Sequence, residues 1–188
     1  IEIKNYWDID HLCYRASTTE KYSHLKKDFL KYATLMTESI VNGRPISTFK
    51  LDKPIHFKQW KIDIIELPAP KPGKTTIDGF EHIEVVVDDS LQYLSNLYHH
   101  LPQDKNGMAK LFNPELEIHL DKNVNIKFHN VSLESVVRLE LNSKVWSAIQ
   151  NCRVLEFLKD FHPLIAGTYP LGVSQPTSDV DVLLTSND

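Results

Sequence analysis

The sequence predicts an α+β fold in which one β-α-β-β-β unit is used twice and is followed by a segment of different pattern. Three observations carry this. Asp10-His11-Leu12, inside the strand-like run from Ile9 to Arg15, is echoed 71 positions later by Glu81-His82-Ile83, inside Phe80 to Val87. Pro45 to Lys53 is echoed 69 positions later by Pro114 to Lys122. Nothing after Val131 repeats, which sets a domain boundary near residues 131–143. Self-similarity of this kind means one supersecondary unit used twice. If the two units face each other across a pseudo-two-fold axis, equivalent histidines converge on one ion.

The first unit covers about residues 9–70. Ile9 to Ala16 reads as a strand. Ser17-Thr18-Thr19-Glu20 has capping-box spacing, and Tyr22, Leu25, Phe29 and Ala33 follow at helical spacing, so the pattern predicts a helix over 18–33. The strand-like runs Leu35 to Ile40 and Ile46 to Leu51 flank Asn42-Gly43, a strong hairpin turn signal. Trp60 to Leu67 is the next strand, with Glu66 near its end. Pro68, Pro70, Pro72 and Gly73 then stop regular structure and read as a rigid connector.

The second unit covers about residues 80–131. A strand over 80–87 leads to Asp89-x-x-Gln92, a plausible helix start, and to the stripe Leu91, Leu94, Leu97 and Tyr98. Residues 102–113 read as a loop or a worn-down strand around Met108 to Phe112. Leu116 to Leu120 and Asn125 to His129 are strands around a turn. Beyond them, Ser132 to Leu141 and Ser143 to Asp160 read as helices, and Leu164 to Ala166 and Val180 to Leu184 as strands. The last of these is expected to be an unpaired edge.

The chain has 188 residues, 41% of them apolar, enough for a real core. A net charge of −4 and a pI near 6.1 leave no electrostatic footprint for nucleic acid. No apolar run reaches membrane-spanning length, and no secretory leader pattern is visible. Cys13 and Cys152 have no framework spacing and read as reduced thiols of a cytoplasmic protein. The absence of Met at the first position reads as a missing N-terminus.

Chemistry concentrates on His11, Glu66, His82 and His129. His11 and His82 are repeat equivalents, while Glu66 and His129 close the last strands of the two units. Imidazoles with a carboxylate suit a divalent transition metal: Zn, Fe, Mn, Ni or Co. Such an ion with open positions polarises a substrate oxygen or activates water. Asp10, Glu81 and Glu84 are expected on the opposite strand face. His24, His56, His99 and His100 are assigned to solvated faces, and His119 has Lys50 as its repeat equivalent. Asn42-Gly43-Arg44-Pro45 reads first as a hairpin turn, although Arg44 or Arg15 can bind a substrate carboxylate bidentately.

Taken together, Asp10-His11 with Arg15, Val41 to Ile46, Phe49 to Leu51, Ile65 to Pro68, Gly79 to Glu84, Asn113-Pro114 and Ile126 to His129 resemble the YecM family, a branch of the vicinal-oxygen-chelate superfamily. The resemblance covers about residues 9–140, so residues 1–140 form the first domain. It implies paired βαβββ modules in an open, curled mixed sheet around a metal-binding cleft. It also implies an enzyme of the isomerase, lyase or dioxygenase type acting on a small oxygen-rich molecule. A binding module without turnover is the alternative, and many proteins of this fold are homodimers. Superfamily metal ligands come from the first and last strands of each module, which suits His11, Glu66 and His82. Many members carry Glu at the fourth place, so Glu134 is an alternative to His129. The chain lacks the helical segment that usually precedes the first strand and most of the segment before Asn113-Pro114.

The tail, residues 141–188, carries a second resemblance. Gly167-Thr168, then Ser178-Asp179-Val180-Asp181, resemble the opening of a nucleotidyltransferase domain, a truncated α/β fragment cut short at Asp188. That resemblance implies that Asp179 and Asp181 hold Mg²⁺ on nucleotide phosphates, with the glycine turn cradling the phosphate.

Overall fold

The structure is a computed structural model that describes residues 1, 3–74, 77–121, 124–141, 147, 149, 151–161, 163–166 and 181–184. The first unit contains β1 (Asp8–Arg15), α1 (Thr19–Phe29), β2 (Ala33–Val41), β3 (Arg44–Phe57) and β4 (Trp60–Pro68). The second contains β5 (Gly79–Val86), α2 (Leu91–Leu97), β6 (Gln103–Asp104), a 3-10 turn (Asn106–Ala109), β7 (Glu115–Asp121) and β8 (Val124–His129). Eight strands form one open mixed sheet in the order β2-β3-β4-β1-β5-β8-β7-β6. Read inward from either edge, the order is the same in the two units. β1 pairs parallel with β4 and β5 parallel with β8, whereas β1 and β5 meet antiparallel with Leu12 opposite Ile83. The pseudo-two-fold axis therefore passes between the two histidine-bearing strands.

Local chemistry explains the elements. Asn42 and Gly43 both have positive φ, 51° and 76°, as a two-residue hairpin with the native strand twist requires. A second tight turn, with Lys58 at φ 53°, joins β3 to β4. The sequence pattern did not point to it, because Lys carries no turn signature. Helix α1 is capped by Thr18, whose hydroxyl accepts from the Lys21 amide at 3.1 Å, rather than by Ser17. The Ser17 amide instead donates to Asp78 at 2.7 Å. The helix ends at Phe29, and Ala33 already belongs to β2, where it pairs with Leu51. Region 102–113 holds a two-residue strand at Gln103–Asp104, ahead of the expected Met108 to Phe112.

One face of the sheet carries the core. Val85, Leu116, Ile118, Ile126 and Phe128 pack with Trp7, Leu91 and Leu94 beneath α2, while Tyr22, Ala33, Phe49 and Leu67 pack beneath α1. Each module thus buries its own apolar face, and the alternate strand residues are left for the other face. The Trp7 indole donates to Asp89 at 3.0 Å and the Trp60 indole to the Trp7 carbonyl at 2.8 Å, tying the start of the first module to the second.

After α3 (Leu133–Leu141) the single expected helix over 143–160 is interrupted at Arg153, which has φ 52° and precedes a short helix, Val154–Phe157. The strand Asp181–Leu183 is not an unpaired edge: it pairs antiparallel with Leu164–Ala166. Asp181 is exposed, while Gly167, Thr168, Ser178 and Asp179 lie outside the described residues. Among the described residues no helix is long and apolar enough to cross a membrane.

Outside the sheet's centre, Glu38 anchors α1 to the first module. It pairs with Lys26 and accepts from Tyr22 at 2.5 Å and Ser47 at 2.8 Å. The Lys26, Tyr22 and Ser47 contacts pull its carboxyl down to about 2. A depressed carboxyl contributes stability that is present above its unfolded pKa and lost as pH falls through the folded one. Glu38→Gln should therefore lower unfolding stability at pH 7 by about 1 kcal/mol, a figure held small by solvent screening. In urea titrations that deficit should shrink between pH 4.5 and pH 2.

Candidate metal centre

The four central strands, β4, β1, β5 and β8, each present alternate residues to a cleft of about 460 Å³ on the face opposite the α1 and α2 cores. These are Glu66 and Pro68, His11 and Cys13, His82 and Glu84, and Lys127 and His129. Across the β1–β5 seam, His11 faces Glu84 and Cys13 faces His82. All three histidines are buried, at 1%, 7% and 1% exposure for His11, His82 and His129.

Each of two rings is held at Nδ1 so that Nε2 is free. His11 Nδ1 donates to Asp10 at 2.8 Å, and the same Asp10 oxygen accepts from the Leu133 amide at 2.9 Å, at the start of α3. His129 Nδ1 donates to the Val131 carbonyl at 2.6 Å. A ring fixed at Nδ1 in this way keeps Nε2 for a metal, which would take it in the deprotonated form. The Nε2 atoms of His11, His82 and His129 are buried, and among the described residues none has a hydrogen-bond partner. Glu84 lies among them: its carboxylate oxygens are 3.1 Å from His82 Nε2, 3.6 Å from His11 Nε2 and 3.4 Å from His129 Nε2. These approaches are close but lack hydrogen-bonding geometry.

The electrostatics follow from burial. Burial works against charge on His11, yet Glu84, the Asp10 hydrogen bond and Glu66 reverse this and push its pKa up to about 10. Burial likewise opposes ionisation of Glu84, but His11, His82 and Lys127 hold its carboxyl well below the usual carboxylate range. Lys127 donates to Glu84 at 3.2 Å and stays charged through Glu84, Glu115 and Glu66 despite its burial. Burial, reinforced by Glu66, pushes the Cys13 thiol well up, so it stands as a neutral thiol.

Of the residues expected from sequence, His11, Glu66, His82 and His129 all line this cleft. Ligand atoms of His11, Glu66 and His82 lie within 4.8 Å of one another, as do those of Asp10, His11 and His129 and those of Cys13, Glu81 and His82. Two imidazoles with one carboxylate form a donor set suited to a divalent transition metal. The buried Nε2 atoms fit such an ion: among the described residues none is hydrogen-bonded, and a metal would replace the proton that His11 carries.

Several expectations need correction. Glu84 is not on the opposite face: it is two residues from His82, and alternation puts the pair side by side. Asp10 reaches the site because the β1–β5 register slips between Ile9 and His11, letting neighbouring residues share a face. Glu81 pairs with Arg15 and lies 3.9 Å from His82 Nδ1. Glu134 turns away to Lys50 and Arg138, both at 2.6 Å, and is no alternative to His129. The strand registers make Lys127, not His129, the counterpart of Glu66: Cys13 pairs with Glu66 as Glu84 pairs with Lys127. Arg44 lines the cleft, whereas Arg15 is engaged by Glu81. His24, His56, His99 and His100 are exposed.

The profile of a family described as YecM protein matches residues 1–140, and that of a domain of unknown function, DUF4269, matches residues 147–188. The latter gives the nucleotidyltransferase reading of the tail no support. An uncharacterized Haemophilus influenzae protein is 32% identical over 157 residues, 73% of this chain and 82% of its own length. Protein YecM of Escherichia coli is 32% identical over 149 residues, 70% of this chain and 77% of its own. The solved structure of a structural-genomics protein, EC4020, superposes with a TM-score of 0.59 at 26% identity, covering 72% of this chain and 78% of that one.

If Glu84 sustains the His11 charge, Glu84→Gln should lower the His11 pKa in the metal-free protein from about 10 by more than one unit. A ring-carbon NMR titration reads this directly. A raised histidine pKa adds stability that is complete below about pH 6.5 and fades as pH rises toward 10, so the variant should lose it at lower pH.

Proposed function

The chain belongs to the YecM family, and from that premise we propose that it is a metal-dependent enzyme of the vicinal-oxygen-chelate type acting on a small oxygen-rich molecule. The observation that carries the reading is the convergence of three buried imidazole nitrogens, none hydrogen-bonded among the described residues, with the Glu66 and Glu84 carboxylates in one cleft. In this reading His11, Glu66 and His82 hold the ion. When bound, the ion supplies Lewis acidity toward two adjacent substrate oxygens.

The remaining roles belong to the chain's own groups. Asp10 fixes the tautomer and angle of His11, and the α3 start holds Asp10 in turn. Glu84 stays ionised between His11 and Lys127, with the unbonded His129 Nε2 at 3.4 Å. His129 can accept a proton from bound substrate at the cleft floor through Nε2 and return it, while Glu84, held ionised, steadies the imidazolium so formed. Lys127 stands where a symmetric site would put a second carboxylate, so a bound ion would be held by His11, Glu66 and His82 without that second carboxylate. Reaction class within the isomerase, lyase and dioxygenase range is set by the substrate.

Elemental analysis of purified protein should find near-stoichiometric transition metal. His11→Ala and His82→Ala should abolish retention, and Asp10→Asn should weaken metal affinity by roughly 10–100-fold through loss of the supporting carboxylate. Stoichiometric metal retained in both histidine variants would overturn the site.

A further inference from the structure

One wall of the cleft carries positive charge that the histidine centre does not use. Arg44, at the start of β3, and Lys71, on the proline-rich connector, both line the cleft. Arg44 Nη1 donates to the Ala69 carbonyl at 2.8 Å, which fixes the guanidinium plane. Its Nε is buried and has no hydrogen-bond partner among the described residues. Nε and Nη2 form the edge of the guanidinium fork that matches a carboxylate bidentately.

The other cations around the cleft are neutralised. Lys127 pairs with Glu84 at 3.2 Å, Lys110 with Glu115 at 2.7 Å, and Arg15 with Glu81. Among the described residues neither Arg44 nor Lys71 forms an ion pair. Burial and the charges of Arg44 and Arg15 press the Lys71 pKa down, the mark of like charges gathered without a counter-ion. An anion drawn into this wall would relieve that repulsion and satisfy the Arg44 Nε.

We propose that Arg44 and Lys71 form an anchoring subsite for a carboxylate on the substrate, set apart from the oxygens that face His11, Glu66 and His82. The substrate class is then a small carboxylic acid that also bears two adjacent oxygens. The second half of that description rests on the metal reading; the carboxylate subsite does not. Arg15 sits behind this wall, tied to Glu81, and adds positive potential rather than a contact.

The test uses the full chain, freed of metal and titrated with malonate at constant ionic strength, followed by amide NMR shifts. Wild type should show saturable binding. Arg44→Gln and Lys71→Met should each weaken it about tenfold, and Lys27→Met, on α1 outside the cleft, should leave it within twofold. Lys71→Met keeps the test intact if Arg44→Gln, which loses the Ala69 contact, fails to fold. Malonate affinity unchanged in Lys71→Met overturns the subsite. Inorganic phosphate binding in place of malonate overturns the carboxylate assignment. Zinc uptake measured on the same samples separates the two readings: a wild type that takes up no zinc but binds malonate through Lys71 sinks the metal centre and leaves the subsite standing.

Discussion

The antiparallel pairing of β1 with β5 is the constraint from which the rest follows. With Leu12 opposite Ile83, the two modules are locked about a pseudo-two-fold axis and their cores stay on one side of the sheet. The same register fixes what meets on the other side: His11 against Glu84, and Cys13 against His82. A slip of one residue would invert every side chain between core and cleft. It would drive Val85 into the cleft and Glu84 into the apolar layer under α2, so the core's need for burial enforces the geometry of the site.

That geometry is costly in the absence of something to complete it. Glu84 is a buried carboxylate among three imidazoles, and ionised groups are tolerated in such places only when paired. The pairing is divided among His11, His82 and Lys127. The residual unmet demand is the three Nε2 atoms of cleft-lining histidines, which have no hydrogen-bond partner among the described residues. Orientation of the rings comes from outside the cleft. Asp10 and the α3 amide hold one, and the Val131 carbonyl holds another. Helix α3 therefore takes part in the site through the Leu133 amide.

The two modules have diverged most where symmetry would have made the site closed. At the Glu66 position of the second module stands Lys127, and at the Cys13 position stands Glu84. A duplicated pair of identical modules would give a symmetric cage. The second module thus carries an ammonium where the first carries a carboxylate, and Arg44 and Lys71, without an ion pair among the described residues, line another part of the same cleft.

Much of this was legible in the chain before folding. The duplicated Asp/Glu-His strands, the Asn42-Gly43 turn and the apolar alternation of β4, β5 and β8 are local patterns, and local patterns dictate element type and face. His11 and His82 stood out because a repeat marks equivalent positions. Glu84 is expected from sequence on the opposite face, although its two-residue spacing from His82 puts the pair side by side. Asp10 was not legible, because a β-bulge is decided by pairing with a neighbouring strand rather than by the strand's own sequence. Nor was the counterpart of Glu66, since the parallel registers of β1 with β4 and β5 with β8 depend on hydrogen bonds between residues more than forty positions apart. The sequence by itself determined which residues are strands, which face is apolar and which histidines correspond. Only the tertiary structure decided which charges meet in the cleft, because meeting is a matter of inter-strand register, and register is set by packing both modules at once.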